Sequence, residues 1–251
     1  MAQPQLQTGV SRPPRHDNCV QPRVGLLRGF TLHCDGQQVL LPLSSQRLVA
    51  FLALRDHPLL RLHVATTLWP DSTEERSVAN LRSALWRLRG GGCDLVQASV
   101  SQLRLVPSVE VDYHLVTRRA RCLLDPSAAL VVDDLDEESF AGDLLPDWYD
   151  DWVVIERERH RQLRLHALES AAERLISAGR YGQAIQAALL AVGEEPLRES
   201  AHRTVVRAQL AQGNLGEAIL HYRRYRSALH RELQVEPSAM FDDLMVGITR
   251  S

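Results

Sequence analysis

The chain has no lysine: all 29 of its basic residues are arginine. That absence excludes a phosphate-binding loop ending in Lys-Ser/Thr, a Schiff-base lysine for a pyridoxal cofactor and kinase chemistry built on a strand lysine. A GC-rich coding sequence accounts for the bias as readily as any function does. Cysteine is sparse. Cys19, Cys34, Cys93 and Cys122 form no CxxC pair, zinc spacing is absent and no disulfide framework suggests itself, so the reading is a reducing cytoplasm. There is no apolar run long enough for a membrane span and no signal-peptide core at the N-terminus.

Ligand-like clusters are lacking too. Asp133 to Asp151 holds nine acids, and no basic residue lies between Arg121 and Arg157. Residues 133–140 read mainly as a solvated loop. A carboxylate metal site is the sharper alternative, but no His accompanies the acids at ligand spacing. His202, His221 and His230 read as helix-surface or core residues rather than ligands. No nucleophile–base arrangement stands out. The expectation is therefore no enzyme, no catalytic residue, no metal and no cofactor.

The 251 residues leave room for one large domain or two ordinary ones, and 45% hydrophobic content suits a globular core. The net charge of −2 is unevenly spread. Residues 24–107 carry nine Arg against six acids; residues 108–251 carry seventeen Arg against twenty-four. The first part could approach a polyanion and the second would avoid one. Residues 1–22, with four prolines and little pattern, read as a disordered leader. The expected units are a domain over 23–109 and a helical domain over 110–251.

Glu74 to Arg89 is the most informative stretch. On a helix it puts Val78, Leu81, Leu85 and Leu88 on one stripe, and Arg76, Asn80, Ser83 and Arg87 on the opposite one. Arg pairs with guanine in two places, Asn with adenine, and Ser with either kind of base edge. Arg82 and Arg89 flank this row within reach of phosphates, and Trp86 sits at its edge. The plainer reading of such a row is a solvated helix face.

What surrounds it favours DNA. Val24 to Leu41 reads as a hairpin turning at Asp35-Gly36, with Val39-Leu40-Leu41 as the returning strand. Ser44 reads as a helix cap, with Leu43 and Leu48 placed for a hydrophobic staple. The central helix then runs from Ser45 to Arg55. A second helix, about Leu62 to Trp69, stops at Pro70. Asp71-Ser72-Thr73 leads into the amphipathic helix, which Gly90-Gly91-Gly92 ends. Strands at Asp94–Ala98 and Gln102–Val106 follow. Three helices and then a hairpin is the order of a winged helix, in which the third helix enters the major groove. Gln102 and Arg104 on the hairpin are candidate backbone contacts, or exposed strand residues with no role.

Beyond it, Val111-Asp112-Tyr113 begins a helix to about Leu124, and a long helix spans Asp150 to Ala178. Trp148 and Trp152, four apart, should share a core. Ala178-Gly179-Arg180-Tyr181-Gly182-Gln183-Ala184-Ile185 is matched by Gln212-Gly213-Asn214-Leu215-Gly216-Glu217-Ala218-Ile219 at an offset of 34 residues. That is the tetratricopeptide period. Two repeats are few for a stack, so the helices before Ala178 and after Pro237 should complete or cap it.

In LRGFTLHCDGQQVLLPLSSQRLVAFLALRDHP and TLWPDSTEERSVANLRSALWRLR the chain resembles the Streptomyces antibiotic regulatory proteins, the SARP family. LPDWYDDWVVIERERHRQLRLHALESAAERLISAGRYGQAI and LHYRRYRSALHRELQVEPSAMF are similar to the opening and close of that family's bacterial transcriptional activator domain. The resemblance implies an N-terminal winged helix-turn-helix followed by an all-α tetratricopeptide-like domain, mainly α with a small α+β part. It implies that Glu74 to Arg89 is the recognition helix and that Trp69 with Asp71, Ser72 and Thr73 faces RNA polymerase. One departure is Leu60, where the family carries a capping Ser or Thr.

The function so expected is a sequence-specific DNA-binding transcriptional activator. It would bind promoter direct repeats as a homodimer or side by side, recruit RNA polymerase holoenzyme and control secondary-metabolite biosynthetic genes, as the resemblance implies. Arg76, Asn80, Ser83 and Arg87 would read bases. Ser44, Arg47, Arg82, Trp86, Arg89, Gln102 and Arg104 would hold the DNA backbone. A tetratricopeptide-type interaction scaffold without its own DNA specificity is the alternative.

Overall fold

The computed structural model describes residues 21–90, 93–128 and 142–249. Nearly all of the expected leader and the acidic stretch 133–140 lie outside these residues. The N-terminal part opens with β1 (Arg23–Gly25), β2 (Thr31–Cys34) and β3 (Gln37–Gln38), an antiparallel meander. β7 (Glu110–Val111) pairs parallel with β1 on its other side, giving the order β3-β2-β1-β7. The turn falls at Asp35-Gly36, with φ of 49° and 78°, both left-handed as a two-residue hairpin turn requires. That turn sets the register, so the returning strand is Gln37–Gln38 rather than Val39–Leu41. Val39 N–H still donates to Leu32 O at 2.8 Å, after which the chain leaves the sheet.

Helix α1 (Leu43–Ala53) begins at Pro42, whose carbonyl accepts from the Ser45 and Gln46 amides. Ser44 therefore sits inside the first turn and is not the cap. The expected staple does not form either, because Leu43 is 62% exposed. The inward position belongs to Ser45, which is buried and donates to Ala84 O at 3.3 Å. From Leu48 to Leu54 every residue is buried, which makes α1 the centre of the first core.

Helix α2 (Arg61–Leu68) starts without a side-chain cap, as Leu60 dictates. Leu60 belongs instead to β4 (Leu59–Leu60), which pairs with β6 (Gln102–Leu105). The Arg61 amide donates to Ser101 O at 2.9 Å, so the hairpin supplies the acceptor that a capping hydroxyl would have given. Helix α3 (Glu74–Gly90) and β5 (Val96–Ala98) complete a three-helix unit with a sheet of order β4-β6-β5.

The helical half contains α4 (Asp112–Leu124), α5 (Asp151–Ser177), α6 (Tyr181–Glu194), α7 (Glu199–Ala211), α8 (Leu215–Leu233) and α9 (Ala239–Thr249). The repeat is visible in the backbone. Gly179 and Gly213 are left-handed at φ of 72° and 85°. The Arg180 amide bonds Leu175 O and the Asn214 amide bonds Gln209 O, each at 2.9 Å, the same helix-ending motif 34 residues apart. Ala184 and Ala218 are fully buried where the paired helices cross. The flanks close the stack as expected. Val116 and Ala120 of α4 pack with Leu165 and Leu168 of α5, and Phe241 and Met245 of α9 pack with Val206 and Tyr225.

Two pairings were not visible locally. Trp148 and Trp152 do pack together, with ring centroids 6.3 Å apart, but in the first half's core: Phe51 meets Trp152 edge-on at 5.1 Å and Phe30 stacks on Trp148 at 6.1 Å. Cys34 of β2 is joined in a disulfide to Cys93 beyond α3, their Cα atoms 6.4 Å apart, contrary to the expectation of unpaired cysteines. The two residues are 59 apart in sequence and only the fold brings them together.

Asp112, at the start of α4, accepts the amides of Leu26, Leu27 and Tyr113 at 2.6–3.1 Å. Burial holds its carboxyl above the usual carboxylate range despite these bonds. Asp112→Ala should cost about 1–3 kcal/mol in urea unfolding, because the Leu26 and Leu27 amides lose their acceptor; Asp112→Asn should cost less.

In the stack, His202 Nε2–H donates to Pro196 O at 2.9 Å, which leaves Nδ1 to accept from His221 Nε2–H, also at 2.9 Å. Both rings are thus neutral. Burial first, then the repulsion from His202 that protonation of both rings would bring and the Arg224 charge, lowers His221 from 6.5 to about 4. His202 is lowered too, by burial. Because the folded values lie below the unfolded one, the unfolded chain takes up the protons first. Stability should therefore be full above 6.5 and fall as the pH drops towards about 4, with proton uptake measurable on unfolding in that window.

Candidate nucleic-acid interface

α3 is fixed from beneath. Leu81, Ala84, Leu85 and Leu88 are buried against α1 and α2, and Val78 is half-buried. Ser77, also buried, donates to Thr73 O at 2.9 Å and reaches Trp69 O at 3.3 Å, which binds the helix to the preceding loop. Thr73 Oγ1 accepts the Arg76 amide at 3.4 Å, a side-chain cap. Glu74 and Glu75 occupy the first turn and Arg87 and Arg89 the last, both favourable to the helix dipole.

The opposite face is open. Arg76, Ser83 and Arg87 are exposed and Asn80 is half-buried, so the four fall on one outward row about 16 Å long. Arg82, Trp86 and Arg89 flank it, all exposed, and Trp86 is 76% exposed. The indole is thus available to a partner laid along this face, though a single exposed apolar side chain does not by itself call for one. Two members of the row have local partners. Ser83 Oγ donates to Ala79 O at 3.1 Å, and Arg87 Nη1 donates to Ser44 Oγ at 3.1 Å.

The hairpin is held next to this helix. Arg61 Nη1 donates to Ser99 O at 3.0 Å, pinning the hairpin tip to the start of α2. Arg104 Nε donates to Gln97 Oε1 at 2.6 Å across the β5–β6 ladder, where the two residues are register partners. Arg89 shares a hollow of about 540 Å³ with Val96 and Gln97. The Arg89 and Arg104 cations therefore lie on the side where α3 meets the hairpin. The Gln102 side chain is exposed.

Arg47 is placed differently from the rest. It forms an ion pair with Asp150, both side chains about four-fifths buried, so it faces the helical half and not free solvent. Sequence reasoning missed Arg61 and Asp150; their partners lie 38 and 103 residues away and leave no local signal. The loop Trp69 to Thr73 has Asp71 and Thr73 exposed, while Trp69 packs against the core.

The bacterial transcriptional activator domain model matches residues 113–248, more than half of the chain. The chain belongs to the bacterial transcriptional activator domain family. Among solved structures, that of Mycobacterium tuberculosis EmbR in complex with a low-affinity phosphopeptide is similar at a TM-score of 0.67 and 22% identity. The match covers 92% of this chain and 65% of that one, so this family member spans just under two thirds of the EmbR chain's length. The likeness extends through both the N-terminal unit and the helical stack, and agrees in fold with the SARP resemblance. No curated protein matches the chain. Among the described residues no helix is long and apolar enough to cross a membrane.

The exposure of Trp86 has a direct optical consequence. Trp152 is buried, and Trp69 and Trp148 are half-buried. Trp86→Phe should remove the emission component that acrylamide quenches most readily, with the melting temperature unchanged. An equally quenchable spectrum in the variant would place Trp86 elsewhere.

Proposed function

We propose that the protein is a sequence-specific DNA-binding transcriptional activator that reads its site with the outward row of α3. The observation that carries this is the contrast between the two faces of one helix. The inner stripe is locked into the core, while the outer one presents guanidinium, amide and hydroxyl groups to solvent beside a hairpin bearing Arg104. Arg76, Asn80, Ser83 and Arg87 read bases. Arg82, Trp86, Arg89, Gln102 and Arg104 contact sugar and phosphate. Arg87 reaches a base by leaving Ser44, and Arg47 reaches a phosphate only by leaving Asp150, which makes it a secondary contact.

The same reading gives the chain a partner in RNA polymerase holoenzyme, met by Trp69 and the Asp71-Ser72-Thr73 loop, whose Asp71 and Thr73 are exposed. Two copies occupy direct repeats side by side. The SARP resemblance points to promoters of secondary-metabolite genes.

Binding of the full chain to genomic fragments, measured by gel shift over a range of salt, tests the proposal. Affinity should fall steeply with salt, by about 0.9 log units per log unit of salt for each phosphate held. On a selected site, Arg87→Ala should cost about 1–3 kcal/mol and relax the preference at one base position. An equal loss on unrelated DNA would reassign Arg87 to phosphate. No salt-dependent binding to any duplex would overturn the reading and leave the helical stack as a peptide-binding scaffold.

A further inference from the structure

A second concave site lies away from α3, where the C-terminal end of α1 meets α4 and α5. It is a cleft of about 760 Å³, a volume that accommodates a small organic ligand. Its cations outnumber its anions. Arg55, Arg118, Arg121 and Arg159 line it against Asp56 and Glu156. Both carboxylates are already engaged: Glu156 pairs with Arg55 at 3.2 Å and Arg159 at 3.0 Å, and Asp56 bonds His57 at 3.2 Å. Arg118 and Arg121, three residues apart on α4, make no ion pair among the described residues. The cleft thus holds two exposed guanidinium groups without an ion pair at its mouth, Arg121 acting on Asp56 only through space, and the net positive charge of the concave surface attracts an anion.

His160, also lining the cleft, is only 2% exposed, yet neither of its ring nitrogens has a hydrogen-bond partner. Polar groups so deeply buried are normally bonded. Burial, with the Arg164 charge beside it, lowers this ring to about 4, so it is a neutral donor and acceptor near neutral pH. The Tyr113 ring packs on it at 5.0 Å, and Leu54 and Leu163 make the walls partly apolar.

We propose that this cleft is a binding site for a small organic dianion, a dicarboxylate or a phosphate monoester. Its charged groups are held by Arg118 and Arg121, and its uncharged body is seated towards Tyr113 and His160. The guanidinium fork suits either oxyanion. Because Leu54 to His57 come from the first half and α4 and α5 from the second, the ligand touches both. The inference is independent of DNA reading by α3.

The test is calorimetric titration of the full chain with phthalate and with phenyl phosphate, using benzamide as the uncharged control. At least one dianion should bind saturably, one to one, and benzamide should not. Which dianion binds identifies the oxyanion. Arg118→Gln/Arg121→Gln, both exposed positions, should weaken that binding about tenfold or more with an unchanged melting curve. Arg76→Gln/Arg87→Gln on α3 should leave it intact. Silence of both dianions at millimolar concentration, binding of benzamide as strong as theirs, or a loss produced equally or only by the α3 variant would overturn the proposal.

Discussion

The structure depends on how the segment entering the helical half is buried in the core of the first. Leu144, Leu145, Trp152 and Val153 are almost fully enclosed among residues of β1, β2 and α1. The Leu145 amide donates to Leu26 O and the Arg28 amide to Asp143 O, both at 2.9 Å. Arg157 adds bonds to the carbonyls of Leu144 and Trp148 at 2.8 Å. A buried aromatic of the size of Trp152, edge-on to Phe51, contributes area that neither half could replace alone. The two halves therefore share a core, and Asp112 reinforces it by holding β1 against the start of α4.

That shared core explains where α3 stands. α1 is enclosed on one side by Trp152 and on the other by α3, with Ser45 bonded to Ala84 O. α3 is the last layer. Its inner stripe is fixed by α1 and α2, and among the described residues its outer row faces solvent. The helical stack grows from the opposite side of α1, through α4 and α5. Among the described residues, the contact of the acid-rich half with the arginines nominated for DNA is that of Asp150 with Arg47.

How much of this could be read from the sequence follows the range of each interaction. The stripe of α3, the β5–β6 hairpin and the 34-residue repeat are local patterns, set by residues three, four or two apart and by glycine at left-handed positions, and are found where the pattern puts them; the first hairpin turns at Asp35-Gly36 as expected, but its returning strand is Gln37–Gln38. The cap of α1 lies two residues before Ser44 because Pro42, with its fixed φ, begins the helix first. Leu60 has no side-chain group to cap with, which its own identity shows, but the Ser101 carbonyl that takes the cap's place lies 41 residues away and leaves no local signal. Cys34 with Cys93, Arg47 with Asp150 and Trp152 with Phe51 join residues 59 to 103 apart. No periodicity encodes such pairs, so the candidate row was legible while the partners that hold or compete for its neighbours were not.

Those competing partners shape what the α3 face can do. An arginine with a neutral hydroxyl partner, as Arg87 has in Ser44, gives up one modest bond when it meets guanine or phosphate, and the charge-assisted bonds it gains are stronger. Arg104, held by the Gln97 amide, is in the same position. Arg47 is not: it would exchange one charge-assisted pair for another and leave Asp150 partly buried without its cation. Among the arginines nominated for DNA, those poised for a polyanion are thus the ones with a neutral partner or no ion pair among the described residues, and they lie on α3 and the hairpin. A residue's type and exposure nominate it for such a surface, but the charge of the partner it already holds decides whether it can turn to another.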